Sequence, residues 1–231
     1  NVMAGNKVLY EGHAVAAVAA TSPLIAAEAI DLIEVEYAPL PYVIDVEDAM
    51  APDAPVLHED MFTQGVEPKP ERPSNIAKRV GFKKGNSEEG FRLADVIIER
   101  RYSTQPVHQA YIEPHACVCS MAADGAATIW ASSQGQFMIR AYTAKLLGMD
   151  MAQIRVMPAE IGGGFGGKTV IYLEPLALAL SKKCGRPVKM VMSREEVFRG
   201  TGPTSGGVIE VKLGAKYDGT ITAAELVLKY Q

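Results

Sequence analysis

Residues 161–169 read Ile161-Gly162-Gly163-Gly164-Phe165-Gly166-Gly167-Lys168-Thr169, with five glycines in six positions. Glycine in regular structure costs about 0.5–1 kcal/mol relative to alanine, through the backbone freedom it gives up on folding. A run this dense suits main-chain N–H groups that approach an anion, or a turn with no room for a Cβ. Gly162, four residues, then Gly167-Lys168-Thr169 matches a phosphate-binding P-loop, in which a helix starts at the lysine and turns its positive end to the phosphate. Pro175 falls seven residues after that lysine, where it would kink such a helix. No later apolar segment ends in an aspartate placed to hold magnesium. Gly162, Gly164 and Gly167 also match the dinucleotide fingerprint. The stretch about 20 residues on, Lys183-Cys184-Gly185-Arg186-Pro187-Val188, lacks the acid that would hold a ribose. A glycine-rich turn without a ligand is the plain alternative.

Other groupings fit catalysis less well. His115, Cys117 and Cys119 share parity on a strand, with His108 nearby. A zinc site needs four converging ligands, usually with its cysteines on a turn, and a strand-borne C-x-C suits it poorly. Iron–sulfur clusters normally need four cysteines, and this chain has three. Glu88-Glu89 and Glu195-Glu196 are neighbours in sequence only, because adjacent side chains on a helix point apart. No serine sits in a G-x-S-x-G frame.

The elements that would carry these groups follow from periodicity and punctuation. Residues 7–20 read as two short strands broken at Gly12, and Ser22-Pro23 opens a helix with a side-chain cap and a proline in its first turn. Residues 33–37 alternate like an exposed strand, stopped by Pro39 and Pro41. From 51 to 86 five prolines and many charges predict an extended linker. A short helix follows Asn86, with a strand-like run from Asp95 behind it. Asp124-Gly125 and Asp218-Gly219 mark two hairpins. Helices are predicted over 136–147 and 175–183, stopped by Gly148 and Gly185.

Bulk numbers bound the function class. The 231 residues carry a net charge of −4, with no basic block, which disfavours nucleic acid as a partner. No apolar run approaches the ~20 residues of a membrane helix, and the opening Asn1-Val2-Met3 does not begin a signal peptide. With an odd, low cysteine count, a cytoplasmic protein with no membrane contact is expected. Lacking a starting methionine and ending on the strand-like 226–231, the chain is expected to be a piece of a longer one.

Several motifs together resemble one family. Ser132-Ser133-Gln134, then Ala144-Lys145-Leu146-Leu147-Gly148, Ile154-Arg155-Val156 and the glycine loop stand in the order found in one class of subunits. These are the large, molybdenum-cofactor-binding subunits of the xanthine dehydrogenase, aldehyde oxidase and carbon monoxide dehydrogenase family. Gly185-Arg186-Pro187-Val188-Lys189, Ser193-Arg194-Glu195-Glu196 and the upstream His108-Gln109-Ala110-Tyr111-Ile112-Glu113-Pro114-His115 are similar to that family too.

The resemblance implies an α+β chain. Residues 1–50 would be the C-terminal part of an α/β-hammerhead domain, 51–91 an extended linker, and 92–231 the first part of the molybdopterin-binding domain. It implies a molybdopterin-dependent oxidoreductase that hydroxylates a carbon of an aldehyde or N-heterocycle with water as the oxygen source. The cofactor would be molybdopterin carrying molybdenum, with a cytosine dinucleotide form as one variant. Electrons would pass to 2Fe-2S and FAD partner domains or subunits in a hetero-oligomer. Gln134 would bond a ligand of the metal, offering an amide donor without charge. Gly163, Gly164, Phe165 and Gly166 would bind the cofactor, with the N–H groups of Phe165 and Gly166 nearest the metal's ligands. Preorganised neutral donors of this kind stabilise developing negative charge. Thr169 would line the substrate pocket, where purine-oxidising members carry an acid, which puts xanthine in doubt as the substrate. The family's catalytic glutamate lies beyond residue 231, so this segment alone is expected to be inactive.

Overall fold

The structure, a computed structural model, describes residues 2–231. They form two compact units: 2–36 with His108–Thr204, and Tyr37–Val107 with Ser205–Gln231.

The first unit is built on a four-stranded sheet in the order β4-β3-β2-β5. Its strands are β2 (Ala116–Met121), β3 (Ala127–Ala131), β4 (Ile154–Pro158) and β5 (Val188–Val191). β2 runs antiparallel to β3 and β5, and β3 is parallel to β4, so β3, β4 and β5 all end at one edge. A parallel pair needs a crossover, and α3 (Gln136–Leu147) supplies it between β3 and β4. α4 (Glu174–Cys184) leads into β5.

Period-two burial decides the core. Cys117 and Cys119 on β2 and Ala127, Ile129 and Ala131 on β3 face Ile139 and Ala144 of α3 and Ala177 and Leu178 of α4. Both helices stop at left-handed Gly148 and Gly185, as expected. α1 (Pro23–Asp31) also forms, with Ser22 Oγ accepting from Ile25 N–H at 3.3 Å. Its side chains are not buried. The two strands expected over 7–20 and the one over 33–37 are absent from the described residues, apart from a Met3–Ala14 bridge. Alternation there finds no neighbouring strand to complete a ladder.

The second unit holds an antiparallel sheet in the order β1-β6-β7. β1 spans Val96–Thr104, β6 Gly207–Ala215 and β7 Ile221–Tyr230. The Asp218-Gly219 turn closes β6 onto β7, pairing Val208 with Lys229. Short α2 (Ser87–Arg92), capped by Asn86, lies so close to β7 that a Cβ on Gly90 would meet Thr222 O at 2.3 Å.

The proline-rich stretch is not an extended tether. Asn75 accepts from Leu57 N–H at 2.9 Å and donates to Ala49 O and Pro55 O at 3.1 and 2.9 Å, folding it on itself. The compact units are assembled from segments distant in sequence. Pairing of β1 with β6 draws 96–104 to the C-terminal hairpin, and 2–36 packs with His108–Thr204.

Candidate functional site

The site forms where β3 and β4 end. Ser132, Ser133 and Gln134 leave β3, and the chain leaving β4 at Pro158 becomes the glycine loop. Parallel pairing of the two strands brings both exits to the same edge, the usual place for a ligand in such sheets. Ser133 Oγ donates to Lys168 O at 3.0 Å, and Gln134 N–H donates to the same oxygen at 2.9 Å. Gln134 Oε1 accepts from Gly166 N–H at 3.0 Å and from Lys168 N–H at 3.2 Å.

Two N–H donors converging on one atom identify it as the amide oxygen. The Gln134 Nε2 donors are thereby left without an acceptor among the described residues, as are the N–H groups of Gly163, Gly164 and Phe165. Gln134 and the loop therefore meet as expected. Of the two N–H groups expected nearest the metal's ligands, that of Phe165 has no acceptor among the described residues and that of Gly166 donates to Gln134 Oε1. Close approach explains one glycine: a Cβ on Gly164 would lie 2.5 Å from Gln134 Oε1. Phe165 holds φ at +49°, costly for a side-chain-bearing residue, and its ring is exposed. Such strain persists where surrounding contacts impose it.

Thr169 donates from Oγ1 to Gly166 O at 2.9 Å, closing the loop's far end. Lys168 is not the exposed lysine that its place after a loop suggests. Its side chain is fully buried, with Nζ 2.7 Å from Glu113 Oε2 and 5.0 Å from the centre of the Tyr111 ring. No helix begins at this lysine; α4 starts at Glu174. A P-loop needs both a free ammonium and a helix N-terminus there, and neither is present.

Below the loop lies a polar cluster that sequence reasoning noticed only as a motif. Ala110 N–H donates to His108 Nδ1 at 2.9 Å, which leaves the ring proton on Nε2, 2.7 Å from Thr201 Oγ1. Thr201 donates onward to Val197 O at 2.6 Å. Tyr111 Oη lies 2.5 Å from His115 Nε2 and 3.3 Å from Thr201 Oγ1. Burial, with the Lys168 ammonium second, pulls the His115 pKa down to about 4, so the ring is neutral at pH 7. Burial pushes the Glu113 carboxyl up, but the Lys168 hydrogen bond and Gly162 N–H outweigh it and hold the group below its usual range.

The rejected constellations have structural roles. Cys117 and Cys119 are core side chains, and the Cys119 hydrogen bond and burial push the Cys117 thiol up, away from the thiolate a metal would need. Glu195 pairs with Arg199 at 3.1 Å, whereas Glu196 caps Ser193 N–H at 2.6 Å.

Comparison with known proteins gives two family matches. A molybdopterin cofactor-binding domain model matches residues 68–230, and an aldehyde oxidase and xanthine dehydrogenase a/b hammerhead domain model matches 1–41. The chain is 36% identical over 248 residues to a probable hypoxanthine oxidase of Escherichia coli, covering 97% of this chain and 26% of that protein. It is 34% identical over 227 residues to the carbon monoxide dehydrogenase large chain of Afipia carboxidovorans, covering 96% of this chain and 28% of that one. Among solved structures, reconstituted CO dehydrogenase from Oligotropha carboxidovorans superposes with a TM-score of 0.84 at 33% identity, over 98% of this chain and 29% of that chain. The chain thus spans 26–28% of the length of these two relatives.

Proposed function

Because the chain belongs to the molybdopterin cofactor-binding family of xanthine dehydrogenase-like and carbon monoxide dehydrogenase-like large subunits, we propose that its glycine loop and Gln134 form one wall of a molybdenum-cofactor site. The observation that carries this is the set of unused donors. Gln134 Nε2 and the N–H groups of Gly163, Gly164 and Phe165 have no acceptor among the described residues, although Gly164 is buried. A buried N–H such as that of Gly164 is rarely left orphaned, and an anionic, oxygen-rich group would satisfy it together with the donors of exposed Gln134 and Phe165 and half-buried Gly163 beside it. Gln134 would bond a ligand of the metal through its amide N–H, and the loop N–H groups would hold anionic oxygens of the cofactor. The donors are neutral, so they stabilise charge without adding a titrating group.

When bound, molybdopterin would supply a two-electron acceptor for hydroxylating an aldehyde or N-heterocycle carbon with water as the oxygen source. The cytosine dinucleotide form, the 2Fe-2S and FAD partners in a hetero-oligomer, and a cytoplasmic setting belong to the same reading. So does the division into a hammerhead part over 1–50, a connecting part over 51–91 and a cofactor-binding part over 92–231. Among the described residues no helix is long and apolar enough to cross a membrane. Thr169, exposed beside the loop, would face the substrate as a neutral hydroxyl, which favours substrates that need no carboxylate to orient them.

The test is metal and pterin analysis of the protein expressed from its complete reading frame in a host that makes the cofactor. Stoichiometric molybdenum in the wild type, reduced about tenfold or more in Gln134→Ala by loss of charge-assisted hydrogen bonds, is expected. A folded protein without molybdenum in that host would overturn the reading.

A further inference from the structure

The ion pair beneath the loop has a geometry that solubility or simple charge neutralisation does not require. Glu113 Oε2 accepts from Lys168 Nζ and from Gly162 N–H, both at 2.7 Å. Glu113 N–H donates back to Gly162 O at 3.2 Å. Gly162 and Lys168 are the two ends of the glycine loop, so a single carboxylate oxygen holds both. Lys168 Nζ also reaches Pro114 O at 3.4 Å, fixing the ammonium against the chain that carries Glu113. The main chain of Lys168 is in turn bonded to Gln134 in both directions, N–H to Oε1 and O to N–H. Arg194 fastens the segment that carries Glu113 by donating to Tyr111 O at 3.0 Å and to Ile112 O.

We infer that Glu113 and Lys168 form a clamp that sets the path of the glycine loop and, through the Lys168 main chain, the orientation of the Gln134 amide. They are positioning residues: Glu113 acts through Gly162, and Lys168 through its own backbone. A fully buried ammonium without its carboxylate is strongly unfavourable, so the lysine cannot leave Glu113 without displacing the loop end it carries. His115, neutral beside it, offers the carboxylate no competing cation. Only what the loop is aimed at rests on the cofactor-site reading; the clamp itself does not.

Amide hydrogen exchange on the protein from its complete reading frame tests this, with wild type, Lys168→Met, Glu113→Gln and the double variant. Each single variant should speed exchange at the Gly166 and Lys168 amides about tenfold or more, while Cys119 and Ile129 in the sheet stay within about twofold. The double variant should exchange more slowly there than Glu113→Gln alone, because removing the lysine removes the unpaired buried charge. Unchanged loop exchange in both singles, or equal acceleration in loop and sheet, overturns the clamp. If Lys168→Met does not fold, Glu113→Gln against wild type decides by the same criterion. Molybdenum content measured on the same preparations separates the two readings. A released loop in a wild-type background that never carried metal supports the clamp and sinks the cofactor site. A metal-bearing wild type whose loop ignores both variants sinks the clamp alone.

Discussion

At Gly164 a single methyl group decides where Gln134 can be. A Cβ there would lie 2.5 Å from Oε1 and 2.6 Å from Cδ of that glutamine. Both atoms belong to the flexible end of the side chain, so Gly164→Ala should displace the amide rather than unfold the protein. Two backbone hydrogen bonds would be lost, about 1–3 kcal/mol in all. Thermal melts should therefore show a modest drop, while molybdenum content of the complete protein falls out of proportion to it. Full metal retention in a folded variant would show that the glutamine contact is dispensable. The Gln134–loop approach was legible in the sequence, but only through the order of several motifs; glycine spacing alone fitted two other chemistries and a plain turn. The Glu113–Lys168 pair was not legible. Its members stand 55 residues apart with no spacing rule to join them. A lysine after a glycine run looks solvated until Tyr111 and Glu113 are seen around it.

Elements were legible where punctuation and a partner coincided. α3 and α4 end at the glycines that were expected to stop them, and both Asp-Gly turns close hairpins. Residues 33–37 show the opposite case, alternation with no strand beside it. The folding of 51–86 on itself rests on the Asn75 side chain and on backbone bonds such as Gln64 N–H to Ala77 O and Ser74 N–H to Met61 O, which composition cannot reveal. α5 (Arg194–Gly200) is short and holds its start by a capping box between Ser193 and Glu196. Ser193→Ala should cost about 1 kcal/mol, typical of a lost N-cap. Chemical denaturation should show a lower midpoint with an unchanged slope. Because Arg194 begins this helix and donates to Tyr111 O, the variant should also loosen exchange near Tyr111. No change at either readout would mean the cap is not what holds the helix.

For the molecule as a whole, acid should be the sensitive direction. His115 is held near pKa 4 in the fold against 6.5 as a free side chain. Between these values the unfolded chain binds a proton that the folded one does not, so stability falls as pH drops from about 6.5 towards about 4. Glu113, depressed in the fold, adds loss of the same sign as pH falls through its folded pKa. Glu174, which burial pushes up, acts in the opposite sense. The informative quantity is therefore a difference between two proteins. His115→Gln keeps an acceptor for Tyr111 without a titrating ring, and its denaturation midpoint relative to wild type should rise as pH is lowered from 7 to 5. A constant difference across that range would remove His115 from the account.

The parallel pairing of β3 and β4 has a practical side. Gln134 and the glycine loop leave the sheet at one edge, while the Asp124-Gly125 turn and the connection from Gly148 to Gln153 lie together at the other, Gln153 Nε2 being 3.4 Å from a Cβ built on Gly125. Five strand residues, about 17 Å at strand rise, separate the two edges. A fluorophore or affinity tag spliced into that remote corner would report on the protein while leaving its chemistry undisturbed.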